Sequence, residues 1–163
     1  MMAGSLPRCS WCGTHEDYIA YHDNEWGVPV VDDVKLFELL TLEGAQAGLS
    51  WLTILRKRDG YRKAFANFDP VKVAQFSPEM AVKLKENPAI VRNRLKIEST
   101  ITNAEAYLNV RNSHGSFAKY IWRFVDGQPI QNQFSSLSDV PASTTLAAEI
   151  SKDLKKRGFR FVG

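Results

Sequence analysis

Tyr21-His22-Asp23-Asn24-Glu25-Trp26-Gly27-Val28-Pro29, together with the acid Glu43 that follows, holds most of the chemical capacity of this chain. Tyr18, Tyr21, Trp26 and Trp51 crowd its first third with carboxylates among them. Aromatic faces beside an acid suit a flat, electron-poor ring, and a base stacked on such faces gains about 1–3 kcal/mol per contact. On a helical wheel with Leu36 at 0° and about 100° per residue, Leu39 falls near 300°, Leu40 near 40°, Ala47 near 20° and Glu43 near 340°. That reading puts Glu43 on the buried apolar stripe, where an unpaired carboxylate costs several kcal/mol. Glu38, near 200°, is then the solvent-facing acid. Glu43 is either half of a structural ion pair, with a base such as Arg58, or a carboxylate on a pocket floor that faces a ligand. Gly44-Ala45-Gln46-Ala47-Gly48-Leu49-Ser50-Trp51 favours the pocket, because two glycines permit close backbone approach and Leu49 falls at an exposed corner.

Cys9, Cys12, His15 and His22 give the spacing C-x2-C-x2-H-x6-H, with the thiolate and imidazole donors that zinc prefers. Two cysteines are too few for a secreted disulfide framework. The later spacings match no common zinc finger, so Cys12 and His15 read as loop residues. Cys9 and His22 read as a ligand pair to be completed from elsewhere. His114 is the only other histidine.

These residues need a scaffold, and its signals are helical throughout. Asp32 and Asp33 cap one helix and Ser50 a second, the latter with Trp51, Ile54, Leu55 and Phe65 on one stripe. Asp69-Pro70, Ser77-Pro78 and Asn87-Pro88 each place a capping side chain before a proline suited to the first helical position. The third predicts a helix from about Pro88 through Leu108, with Ile90, Val91, Leu95, Ile97 and Ile101 inward. Ser116 opens a short aromatic helix ended by Asp126-Gly127. Ser143 or Thr144 caps a last helix, with Gly158 as its left-handed stop. The expected fold is all-α: an irregular or orthogonal helical bundle forming one domain over residues 9–163, with residues 1–8 as a loose leader. No apolar run approaches the ~20 residues of a membrane span, and no signal-peptide pattern is present, so a cytoplasmic protein is expected. The net charge of +3 is compatible with nucleic acid without requiring it. The bases gather as Lys152, Lys155, Lys156, Arg157 and Arg160, and as Arg92, Arg94 and Lys96, either as solvated helix faces or as phosphate contacts.

The run from Tyr18 through Pro29 resembles the 3-methyladenine DNA glycosylase I family, as do Leu42-Glu43-Gly44 through Trp51, Phe68 through Ala74, Ile90-Val91-Arg92 and Leu154 through Gly163. The resemblance extends from Arg8 onward. It implies a helix-hairpin-helix glycosylase that flips N3-methyladenine out of alkylated double-stranded DNA and hydrolyses its glycosidic bond. Its product ligand would be free 3-methyladenine. By the same resemblance Glu43 recognises the purine, Tyr21 and Trp51 stack on it, and Tyr18, Trp11 and Trp26 line or support the pocket. Leu49 fills the gap left in the duplex beside Gly48, while Lys156, Arg157, Gly158 and Gly163 belong to the DNA-binding hairpin. Cys9 and His22 match half of a structural zinc site, whose other half lies in the family beyond the Phe-Val-Gly with which this chain ends. A monomer is implied. A catalytically impaired lesion-binding protein and a helical interaction module are the competing expectations.

Overall fold

The computed structural model describes residues 6–163, and within them every regular element is helical. The helices are α1 (Glu16–Asn24), α2 (Asp33–Ala45), α3 (Trp51–Ala64), α4 (Pro70–Ala74), α5 (Pro78–Leu84), α6 (Arg94–His114), α7 (Phe117–Trp122) and α8 (Thr145–Lys156). Short 3-10 turns link several of them. None is long and apolar enough to cross a membrane. The chain divides into two compact units: residues up to Pro29 together with Gln131–Pro141, and Val30–Ile130 together with Ala142–Gly163. Of the leader, the first five residues lie outside the described part. Arg8, counted with it, is instead held by a two-pronged pair with Asp23 at 2.8–3.0 Å.

Local chemistry sets most of the helix starts. Asp32, Ser50, Asp69, Ser77, Ser116 and Thr144 each accept a backbone N–H from the first turn of the helix they precede, filling donors that the helix itself leaves open. α8 ends in a Schellman arrangement: Gly158 has φ +96°, its N–H reaches Lys155 O at 3.1 Å, and Phe159 N–H reaches Leu154 O at 3.1 Å.

The third proline start differs from expectation. Asn87 caps only a turn, accepting from Ala89 N–H at 2.9 Å, and the helix begins at Arg94 with Asn93 as its cap. Residues 88–93 are bound instead to α3. Lys57 donates to Pro88 O at 2.9 Å, Val91 N–H donates to the Tyr61 hydroxyl at 3.3 Å, and Ile90 is buried. Leu95, expected inside, is exposed, because it lies about 200° round the helix from the buried Ile97. That face carries Ile97, Ala104, Tyr107 and Val110, and also Ser99, Thr100 and Asn103. The buried hydroxyls of Ser99 and Thr100 both donate to Lys96 O, so neither is left unsatisfied.

The wheel for α2 is also corrected. Phe37, Thr41, Leu42, Gly44 and Ala45 are buried, while Leu36, Leu39 and Leu40 are only half-buried and Ala47 is exposed. The core side of α2 therefore lies opposite the leucine stripe. Glu38, the expected solvent-facing acid, is 6% exposed. Burial alone would raise its pKa, but the Arg62 fork at 2.8 and 3.0 Å and Lys35 at 3.2 Å outweigh that and lower it. Phe37, Phe65, Phe68, Tyr107 and Tyr120 form the aromatic centre of the core. Between α3 and α4, Ala66, Asn67 and Phe68 all take positive φ, a left-handed turn that directs both Phe65 and Phe68 inward.

Gly60 is where α3 meets the extended segment: a Cβ there would stand 2.2 Å from the Ala89 carbonyl oxygen. Gly60→Ala is expected to destabilise the fold by about 1–3 kcal/mol, as overpacking does, read as a lower urea midpoint with an unchanged slope.

Candidate functional site

In the N-terminal unit, α1 and the preceding turn Ser10–Cys12 gather the aromatics. Trp11 sits at the centre, 5.1 Å from Tyr18, 6.3 Å from Tyr21, 5.2 Å from His22 and 5.3 Å from Trp26, measured between ring centroids. His22 stacks on Trp26 at 5.6 Å, and Trp26 is 50% exposed. The helical spacing explains the grouping, since Tyr18, Tyr21 and His22 lie three or four residues apart on one face. In sequence these residues stand out as a run, whereas the helix that groups them opens without a side-chain cap at His15.

His22 is oriented on both sides. Its Nδ1 is 2.9 Å from Asp23 Oδ1, and its Nε2 accepts the Cys9 N–H at 3.3 Å. Arg8, and after it His22, pull the Asp23 pKa down to about 2. An imidazole held by a carboxylate through one nitrogen leaves the other for a ligand, and in His22 the Cys9 N–H occupies that position. The remaining donors do not follow. The Cys12 sulfur is buried against Cys9 O at 3.1 Å, and His15 is exposed at the start of α1. Among the described residues no three histidine, cysteine or acidic side chains converge. The residues present therefore do not make up a zinc centre, which takes four ligands.

In the helical unit, a groove of about 760 Å³ runs between the end of α2 and the end of α8. Glu43, Gly48, Leu49, Lys155, Phe161 and Gly163 are on its surface. The wheel correction explains why Glu43 is there: it shares the outward side of α2 with Leu40, not the core. Solvent reaches its carboxylate, yet the surrounding protein desolvates it enough to raise its pKa, as expected at the floor of a concavity. It has no ion-pair partner among the described residues, Arg58 included. An acid that is partly desolvated and lacks its own cation is suited to receiving one.

Each wall of the groove is fixed through backbone atoms. After α2, Gly48 takes φ +78° and Leu49 projects outward, 41% exposed. Lys96, grouped by sequence with Arg92 and Arg94 as a basic cluster, turns inward here. Its Nζ donates to Ala45 O at 2.9 Å and to Ala47 O, and burial lowers its pKa. The opposite wall is the segment after Gly158. Asn103 binds it at two points, donating to Arg160 O at 3.1 Å and accepting from Arg160 N–H at 2.9 Å. Phe161, at φ +57°, then lies so close to Gly44 that a Cβ there would be 3.2 Å from the Phe161 Cβ. Close approach at Gly44 was legible in the sequence. Lys96, Asn103 and Phe161 were not, although an asparagine in the middle of a long helix is a signal that could have been followed.

Trp51 starts α3 and packs half-buried against the core. Lys156 and Gly158 are exposed at the end of α8. Arg157, expected at the DNA surface, is held otherwise: its Nε donates to Asp153 at 2.8 Å and its guanidinium lies 4.8 Å from the Tyr120 ring centre. Tyr120 also donates to Asp153, so these three side chains join α7 to α8.

Comparison with known proteins finds one family. Residues 11–163 match the family model described as methyladenine glycosylase. The chain is 50% identical over 158 residues to DNA-3-methyladenine glycosylase 1 of Escherichia coli (strain K12), spanning 97% of this chain and 84% of that one. It is 46% identical over 156 residues to DNA-3-methyladenine glycosylase of Haemophilus influenzae, spanning 96% and 84%. A solved structure of 3-methyladenine DNA glycosylase I from Staphylococcus aureus, described as giving the structural basis of its 3-methyladenine recognition, superposes with a TM-score of 0.94 at 41% identity, covering 98% of this chain and 85% of that one.

Asn103→Ala should leave the Arg160 N–H and C=O without partners, a loss of about 1–3 kcal/mol in urea unfolding. Amide exchange at Arg160 should accelerate while exchange at α3 amides does not.

Proposed function

Because the chain belongs to the methyladenine glycosylase family, we propose that it excises N3-methyladenine from alkylated DNA by hydrolysing the bond between base and deoxyribose. The observation that carries this reading is Glu43: a partly desolvated carboxylate in an open groove with no cation of its own among the described residues. N3-methylation gives adenine a formal positive charge. A carboxylate and aromatic faces then favour the lesion over neutral adenine, and a damaged pair costs less to open than an intact one.

The same charge makes the base a good leaving group. The C1′–N9 bond breaks with its electron pair moving onto the purine, which becomes neutral. Water adds to C1′ through an oxocarbenium-like state and loses a proton to solvent. Free 3-methyladenine and an abasic site remain, and the strand stays intact. Glu43 recognises the base, and its share in the chemistry is electrostatic rather than that of a general base. Tyr21 and Trp51 are assigned as stacking faces, with Trp11, Tyr18 and Trp26 supporting. Leu49 enters the gap in the duplex at the Gly48 corner. Gly158, Gly163 and Lys156 form the phosphate-facing end of a helix-hairpin-helix element, where exposed backbone N–H groups suit phosphate oxygens. The protein is read as a monomer acting in the cytoplasm.

Incubation with methylated duplex should release free 3-methyladenine, seen by chromatography, and leave abasic sites without strand breaks. A folded preparation that releases none would overturn the reading. Glu43→Gln should lose most of the rate at which methylated duplex, whose lesion base is cationic, releases 3-methyladenine. Its stability relative to the wild type should depend on pH with a definite sign. Well below 4.5, the ordinary glutamate value, the acid is neutral in both folded and unfolded chains and the two proteins should match. Above it, through the raised folded pKa, the wild type bears the cost of a desolvated charge, so Glu43→Gln should become the more stable of the two in thermal melts.

A further inference from the structure

We propose that Lys96 is a positioning residue for base extrusion: from the first turn of α6 its ammonium holds the last carbonyl of α2 and the Ala47 carbonyl just beyond it, and thereby fixes the corner that presents Leu49. This role rests on the function proposed above. The carbonyls at a helix C-terminus lack intrahelical partners and concentrate negative potential, so a cation there satisfies both demands. Lys96 meets one of them, Ala45 O at 2.9 Å, and at the same time Ala47 O in the corner beyond the helix end. The residues between Ala47 and Trp51 form no helix, and Gly48 at φ +78° reverses the chain just before Leu49.

Within the corner, Ala47 N–H reaches Gly44 O at 3.3 Å and Leu49 N–H reaches Gln46 O at 2.6 Å. Such local bonds set the shape of the corner but leave its place relative to the rest of the unit free. The Lys96 ammonium is a tie from this corner to another helix, and that helix is firmly seated. Asn93 caps it at Lys96 N–H, and the Lys96 carbonyl accepts the hydroxyls of Ser99 and Thr100. A side chain pushed into a stacked duplex must resist the helix closing on it. Leu49 is exposed and on a turn, so that resistance has to come from what lies behind it. Lysine suits the task because its three rotatable donors can serve two carbonyls that need not share a plane.

The role separates two measurements that a general loss of structure would move together. Free 3-methyladenine is already outside a duplex and needs no plug, whereas a base in a duplex does. Lys96→Met is expected to slow single-turnover excision from methylated duplex at least ten-fold, while its affinity for free 3-methyladenine stays within two-fold of wild type. Lys96→Arg, which restores a cation with several donors, should recover part of the rate. Asp69→Ala, which removes the cap of α4, serves as the control for stability loss alone and should excise normally at a temperature where it is folded. Equal losses on duplex and free base, no loss on either, or the same duplex defect in Asp69→Ala would overturn the assignment. Wild-type protein that releases no base would overturn the glycosylase reading itself, and this role with it.

Discussion

Asn103 forms a two-point hydrogen-bonded pair with the backbone of Arg160 inside the helical unit, and one wall of the groove hangs from it. A side-chain amide is suited to this because it offers a donor and an acceptor in one plane, as a neighbouring peptide group does. The bond places Phe161 against Gly44, and Gly44 is adjacent to Glu43. The depth at which the acid lies is thus set by a residue three turns along another helix. α6 can play this part because its own polar groups are already satisfied within its length, so its remaining buried side chains are free to bind the chain on either side.

Glu38 and Glu43 are five residues apart on α2 and meet opposite fates. Glu38 is sealed in with a guanidinium and an ammonium, which hold it ionised, and it ties α2 to α3. Glu43 has the desolvation without the partner. Charge type is identical, and the surroundings alone make one a structural strut and the other a receptor. The cation that Glu43 lacks among the described residues is the one that the methylated base would bring.

Helix starts were the most legible part of the sequence. Capping is a short-range interaction between a side chain and N–H groups two or three residues on, and all but one of the expected helix starts appear where they were read, though Asp33, read with Asp32 as a cap of α2, instead accepts from Phe117 and Ala118 N–H at the start of α7. The exception, Asn87-Pro88, shows the limit. A cap with proline behind it makes a start possible, but the packing of Ala89 on Gly60 and the bond from Val91 to Tyr61 draw this stretch out along α3 instead. The face of α2 was misread for a related reason. A wheel assumes one wet side, and α2 has apolar or neutralised groups almost all round, so composition could not say which side the core would take. That error placed Glu43 on the wrong face while still singling it out. The groove walls were illegible because Lys96 and Asn103 act on backbone atoms far along the chain, and no local pattern records such pairings.

The N-terminal unit is assembled from two stretches of chain, one ending at Pro29 and the other running from Gln131 to Pro141. A polypeptide emerges from the ribosome in order, and its parts fold as their contacts become available. The aromatic cluster around Trp11 belongs to a unit that is unfinished until residue 141 has been made, long after α2 and its acid have emerged. During synthesis the tyrosines of α1 and the flanking Trp11 and Trp26 are therefore the last of the early residues to find their complete surroundings. A nascent chain stalled anywhere in the middle helices would carry Glu43 without a finished aromatic unit.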